Sequence, residues 1–106
     1  MSRTEKFTFH EDPGHAWLDV PRKLLQELGI AGKISPCSYV SHDGRAYLEE
    51  DCDAMTFHEA AEAAGIKLEF EEKLYNGDCF VRHLQPYPAA SDWHVGTRWE
   101  RPPLAG

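Results

Sequence analysis

The chain has 106 residues, 42% of them hydrophobic and 27% charged, which fits one globular domain with a modest core and is too short for two ordinary domains. A net charge of −7 opposes direct contact with nucleic acid and favours basic protein surfaces. No stretch approaches the roughly 18 apolar residues of a membrane span, and Met1 to Lys6 contain no signal-peptide core, so a cytoplasmic location away from membranes is expected.

Residues 5–10 alternate, with Phe7 and Phe9 on one face, and predict a strand. Asp12-Pro13-Gly14 is a turn, because proline presets φ and Asp favours backbone hydrogen bonding at its start. Residues 16–20 predict the returning strand. Pro21 then opens a helix where its missing N–H costs nothing. Leu24, Leu25 and Leu28 form the apolar stripe, Arg22, Lys23, Gln26 and Glu27 face water, and Gly29 closes the helix.

Residues 38–40 and 45–48 predict a second hairpin turned by Asp43-Gly44. A second helix follows over about 53–64, ended by Gly65, with Ala54, Phe57, Ala60, Ala61 and Ala64 inward. Its alanines imply close approach to a sheet or helix. Thr56 and Glu59 also fit a capping box, an alternative start one turn later. Ile66, Leu68 and Phe70 alternate with Lys67, Glu69 and Glu71 as a strand, Asn76-Gly77 turns the chain, and Cys79 to Leu84 predicts its antiparallel mate. The expected fold is α+β: an antiparallel sheet built from hairpins in the order ββ-α-ββ-α-ββ, with two helices on one face. It occupies residues 1–85, and residues 86–106, rich in proline and holding Trp93 and Trp99, form an extended tail. Trp17, Tyr39 and Tyr47 fit a core or a dimer interface.

Chemical motifs are weak. Cys37, Cys52 and Cys79 show no CxxC spacing, and their odd number argues against a disulfide framework. Cys52 sits among Glu50, Asp51 and Asp53, which suppress its nucleophilicity. No G-x-S-x-G sequence or phosphate-binding glycine loop is present, so no catalytic residue and no cofactor is expected. His10, Asp12 and His15 lie within six residues and could ligate a metal, with His42 or His94 completing the set. The same Asp is equally what a Pro-Gly turn selects.

Charge distribution says more. Between residues 49 and 72 stand nine acids, Glu49, Glu50, Asp51, Asp53, Glu59, Glu62, Glu69, Glu71 and Glu72, against the single base Lys67. Each acid alone fits solvated surface or a helix N-terminus. Together they depart from the mixed signs of a surface kept for solubility. Such a surface can enter a basic groove made for nucleic acid, its carboxylates standing in for phosphates.

The run from Phe9 to Pro21 (Phe-His-Glu-Asp-Pro-Gly-His-Ala-Trp-Leu-Asp-Val-Pro) resembles a pattern of small uncharacterised proteins of bacterial mobile elements, phages and plasmids. Lys33 to Tyr39 and Tyr47 to Ala54 fit the same pattern, and the resemblance covers about residues 7–85. It supplies no catalytic residues. It implies an accessory protein similar in kind to anti-CRISPR proteins, many of which bind effector subunits. The leading expectation is a non-enzymatic acidic inhibitor of a host nucleic-acid-handling complex, its contact made by the nine acids. The alternatives are a metal-binding protein or enzyme using His10, Asp12 and His15, and a module that pairs with itself through the Trp93–Trp99 tail.

Overall fold

Alternating apolar residues build a six-stranded sheet within residues 3–88, the stretch that the computed structural model describes. In chain order the elements are β1 (Arg3–Glu11), β2 (Ala16–Pro21), α1 (Arg22–Glu27), β3 (Tyr39–Val40), β4 (Arg45–Glu49), α2 (Asp53–Ala63), β5 (Ile66–Leu74) and β6 (Gln85–Pro86). Short 3-10 turns cover Ala31–Lys33 and Phe80–His83. The strands lie side by side as β5-β1-β2-β4-β3-β6.

The sheet is mixed, which corrects the antiparallel expectation. β5 runs parallel to β1 through nine residue pairs, from Arg3 with Ile66 to Glu11 with Leu74, and the other strand pairs are antiparallel. The reason is the connection. β4 and β5 both run in the direction of β1, and parallel strands need a crossover element that no two-residue turn can provide. α2 is that crossover, passing over β2 and β1. The alanines of α2 allow the close approach: Ala54 and Ala61 are buried against the sheet, and Phe57 is fully enclosed, edge-on to Phe7 with ring centroids 5.3 Å apart.

Both helices belong to one core. Leu24 and Leu25 of α1 and Ala54, Phe57 and Ala61 of α2 pack with Phe7, Leu18, Val20, Ala46, Leu48 and Ile66 of the sheet. Each large side chain so buried contributes about 1.5–3 kcal/mol of transfer free energy. Pro21 stands at the N-cap of α1 with φ −68°, and Gly29 and Gly65, which follow the two helices, take positive φ as expected. Arg22 departs from expectation. It is buried, its N–H bonding the Gly44 carbonyl and its guanidinium reaching the Ser41 carbonyl at 3.4 Å.

The second face of the sheet explains the other correction. Cys79 to Leu84 form no strand beside β5; the chain folds back over Trp17, Tyr39 and Tyr47 instead. Pairing at the β5 edge would have left those rings in water, and each aromatic buries roughly 150–250 Å². Trp17, Tyr47, Cys79 and Val81 form a separate buried cluster, so Trp17 and Tyr47 are core residues. Pro86 and Tyr87, assigned above to the tail, also pack: Pro86 pairs with Tyr39, and Tyr87 donates its hydroxyl to the Ala31 carbonyl at 2.6 Å. The rest of the expected tail, including Trp93, His94 and Trp99, lies outside the described residues.

Candidate functional site

The expected metal trio does not converge on one point. Asp12 is buried and saturated. Its Oδ1 accepts from the Gly14 and His15 amides, and its Oδ2 from the Cys79 amide. Arg82 donates to both oxygens, at 2.6 and 2.8 Å. These donors hold the Asp12 carboxyl far below the usual carboxylate range, with Arg82 the largest cause, followed by the Cys79 amide. The pair closes the 75–84 segment onto the β1–β2 turn, and the Arg82 guanidinium lies over the Trp17 ring.

His10 is bound from both sides. Its Nε2 meets Asp19 Oδ2 at 2.9 Å, and its Nδ1 meets the Tyr75 hydroxyl at 3.0 Å. A carboxylate oxygen accepts, so Nε2 donates to Asp19, and the Tyr75 hydroxyl, able to donate or accept, pairs with Nδ1. Asp19 is held in turn by Arg45 Nε at 2.7 Å. Phe80 packs edge-on against His10 and Tyr47. Burial pushes the Tyr75 and Tyr47 phenols up from their ordinary value. His15 points elsewhere and donates to Glu49 at 3.2 Å. Among the described residues no group of three or more His, Cys, Asp or Glu side chains is placed to hold a metal ion.

The cysteines are free, with Cys37 and Cys52 exposed and Cys79 buried. A hydrogen bond with Ser35 pulls the Cys52 thiol down, but the Asp53 charge and some loss of solvation outweigh it, and the thiol sits above its ordinary value. Burial also raises Cys79.

The nine acids divide into groups. Asp53, expected at a contact surface, is buried at 3% exposure and faces inward. It ties α2 to the loop before β3 by accepting from the Ser35 amide and hydroxyl and from the Ser38 hydroxyl. The helix cap itself, Cys52, makes no side-chain capping bond. Glu49 is half-buried beside His15 and also accepts from the Asp51 amide. Glu69 and Glu71 lie on the sheet face opposite the helices, where Lys6 approaches Glu71 at 3.6 Å. Glu59 and Glu62 are exposed on α2, Glu62 within 3.8 Å of His58.

Glu50 and Glu72 share one depression, and Glu11 joins them there. Together with Phe9 and Ala16 they line a shallow open depression of about 330 Å³ on the helix side of the sheet. Parallel pairing sets Phe9 beside Glu72, and the turn after β4 brings Glu50 over Ala16, whose carbonyl accepts the Glu50 amide at 3.0 Å. Burial raises the Glu50 carboxyl above its ordinary value, and Asp51, Glu11 and Glu49 add to the shift by like-charge repulsion. A rim of carboxylates over an aromatic floor can receive an ammonium or guanidinium group. Phe9 and Glu11 escaped sequence reading because their place here depends on a register with β5, some 60 residues on.

β5 forms one edge of the sheet. Its helix side carries Leu68, Phe70, Glu72 and Leu74 in succession, with Phe70 42% and Leu74 72% exposed. Phe70 touches Phe9 and stacks on His58 of α2. No protein-family model, curated protein or solved structure matches this chain.

Proposed function

We propose that this chain is a non-enzymatic acidic binding protein of a mobile genetic element. It occupies a basic surface on a host nucleic-acid-handling defence complex, as an anti-CRISPR inhibitor does, with carboxylates in the place of phosphates. The observation that carries this reading is the convergence of Glu11, Glu50 and Glu72 on one depression. These acids come from β1, the β4–α2 turn and β5, and burial together with repulsion from Asp51, Glu11 and Glu49 raises the cost of ionising Glu50. A cation entering the depression relieves that repulsion, so the site favours a basic partner over water. Glu59, Glu62 and Asp51, also exposed, extend the negative field and steer association. The host-defence assignment of the partner comes from the resemblance of residues 7–85 to mobile-element proteins.

The test is capture from host lysate with the tagged protein at low and high salt, read by mass spectrometry, beside the double variant Glu50→Lys, Glu72→Lys. A nucleic-acid-handling complex should be recovered at low salt, released at high salt and missed by the variant. Capture unaffected by both salt and charge reversal, or recovery of nothing but the protein itself, overturns the reading.

A further inference from the structure

We propose that the partner engages as an added β-strand on the open edge of β5, through an extended segment whose helix-side face runs apolar and then basic and whose other face is basic. This rests on the acidic-binding reading and specifies its geometry.

The ladder with β1 shows which backbone groups are on offer. The Arg3 amide bonds the Gly65 carbonyl at 3.2 Å, and the Tyr75 amide bonds the Glu11 carbonyl at 2.8 Å. In a parallel pair the N–H and C=O of one residue point the same way and alternate along the strand. Odd-numbered residues from 65 to 75 therefore face β1. Ile66, Leu68, Phe70, Glu72 and Leu74 direct their N–H and C=O groups outward. The strand runs nine residues in unbroken register, without proline. Natural edges are usually shortened, bulged, covered or charged to prevent pairing; β5 carries the charges of Lys67, Glu69, Glu71, Glu72 and Lys73 but is long and unbulged. Among the described residues, none pairs on this side.

Side chains set the partner's pattern. On the helix side, an incoming strand meets Leu68 and Phe70 and then Glu72, which opens onto the depression lined by Phe9, Glu11 and Glu50. An apolar residue opposite Phe70, followed two positions on by Lys or Arg reaching past Glu72, satisfies both. On the opposite side Glu69 and Glu71 again favour a base, Lys67 and Lys73 flanking them. A second copy of this chain fits poorly: antiparallel self-pairing centred on Phe70 sets Glu69 against Glu71 and Lys67 against Lys73. Like charges directly opposite destabilise a pair.

The experiment uses the full chain and a fluorescein-labelled short peptide containing Val-Lys-Val-Lys-Lys, which sets Val against Leu68 and Phe70 and Lys against Glu72 on the helix side, and Lys against Glu69 and Glu71 on the other. Binding is read by anisotropy, and the edge by hydrogen exchange. The peptide should bind and slow exchange of the Leu68, Phe70 and Glu72 amides. Phe70→Pro removes one outward donor, a place where an edge strand tolerates proline, and should weaken binding about tenfold or more. Phe70→Ala, which keeps that donor, controls for loss of the ring and should weaken binding less; circular dichroism confirms that both variants fold. Salt-sensitive peptide binding that Phe70→Pro leaves intact, or that brings no protection to β5, overturns strand addition while leaving the acidic-surface reading standing. No peptide binding together with self-association by light scattering overturns strand addition in favour of a second copy. Failure of the lysate capture in both salt conditions removes the underlying reading.

Discussion

Phe57→Ala tests the central packing claim, that α2 is held to the sheet through one enclosed ring. Phe57 is 0% exposed and meets Phe7 edge-on at 5.3 Å. The space left by its removal cannot close easily, because Ala54 and Ala61 already bring the helix to the sheet and are buried there. Phe-to-Ala changes in such cores cost about 3–5 kcal/mol, and poor collapse places this one near the upper end. A domain of this size has about 5–15 kcal/mol in total, so the variant should fold but only marginally. Urea unfolding followed by circular dichroism measures the change. With a slope of about 1.3 kcal/mol/M, the midpoint should fall by about 2–4 M. Phe70→Ala, at a ring 42% exposed, should cost no more than about 1 kcal/mol. A Phe57→Ala cost below about 1 kcal/mol, or equal costs for the two rings, would refute the assignment of core and edge.

Asp12 predicts acid sensitivity. Its folded pKa lies far below the ordinary value because Arg82 and three amides bind the charged form. That stability is fully present above about pH 4 and is lost as pH falls toward the folded value. Urea midpoints between about pH 2 and 6 should therefore fall steeply for the native chain and more shallowly for Asp12→Asn; parallel curves would contradict the claim. Tyr47 and Tyr75 predict the opposite limb. Burial raises both folded pKa values, so stability present below about pH 10 is lost as pH rises through them. Ultraviolet titration of phenolate should show late, cooperative ionisation coinciding with unfolding, and Tyr47→Phe with Tyr75→Phe should move the alkaline transition upward.

Local chemistry made much of the fold legible. Pro21 and Gly29 bracket α1, Gly65 follows the end of α2, and Asp12 caps its own turn through the Gly14 and His15 amides. Each signal acts within a few residues, so each can be read without knowing the rest. The partner of β5 could not. Ile66, Leu68 and Phe70 alternate as any amphipathic strand does, and Asn76-Gly77 is a fair hairpin signal. The deciding fact is that Trp17, Tyr39 and Tyr47 share the second face and need a cover, a consequence of register across β2, β3 and β4. Arg22 illustrates the same limit: helical spacing set it toward water, and the neighbouring Ser41 to Gly44 turn buries it.

The placement of ionic groups separates what holds the chain together from what it offers outside. On the second face His10, Asp12, Asp19, Arg45 and Arg82 bind one another or the backbone they anchor. As arranged, His10 has both ring nitrogens occupied and Asp12 both oxygens. His10 and Asp12, two of the three residues that first suggested a metal site, are therefore clamps that hold the 75–84 segment down. The helix side and the β5 edge differ: there Glu11, Glu50 and Glu72 converge with no cation among the depression's lining residues, beside a strand whose outer hydrogen bonds are unmade among the described residues. Repulsion from Asp51, Glu11 and Glu49 raises the cost of ionising Glu50, and the outward backbone groups of β5 can exchange water for a partner strand. The proposed basic, extended partner would meet both at once, its backbone along β5 and its charge over Glu11, Glu50 and Glu72, which three separate segments bring together.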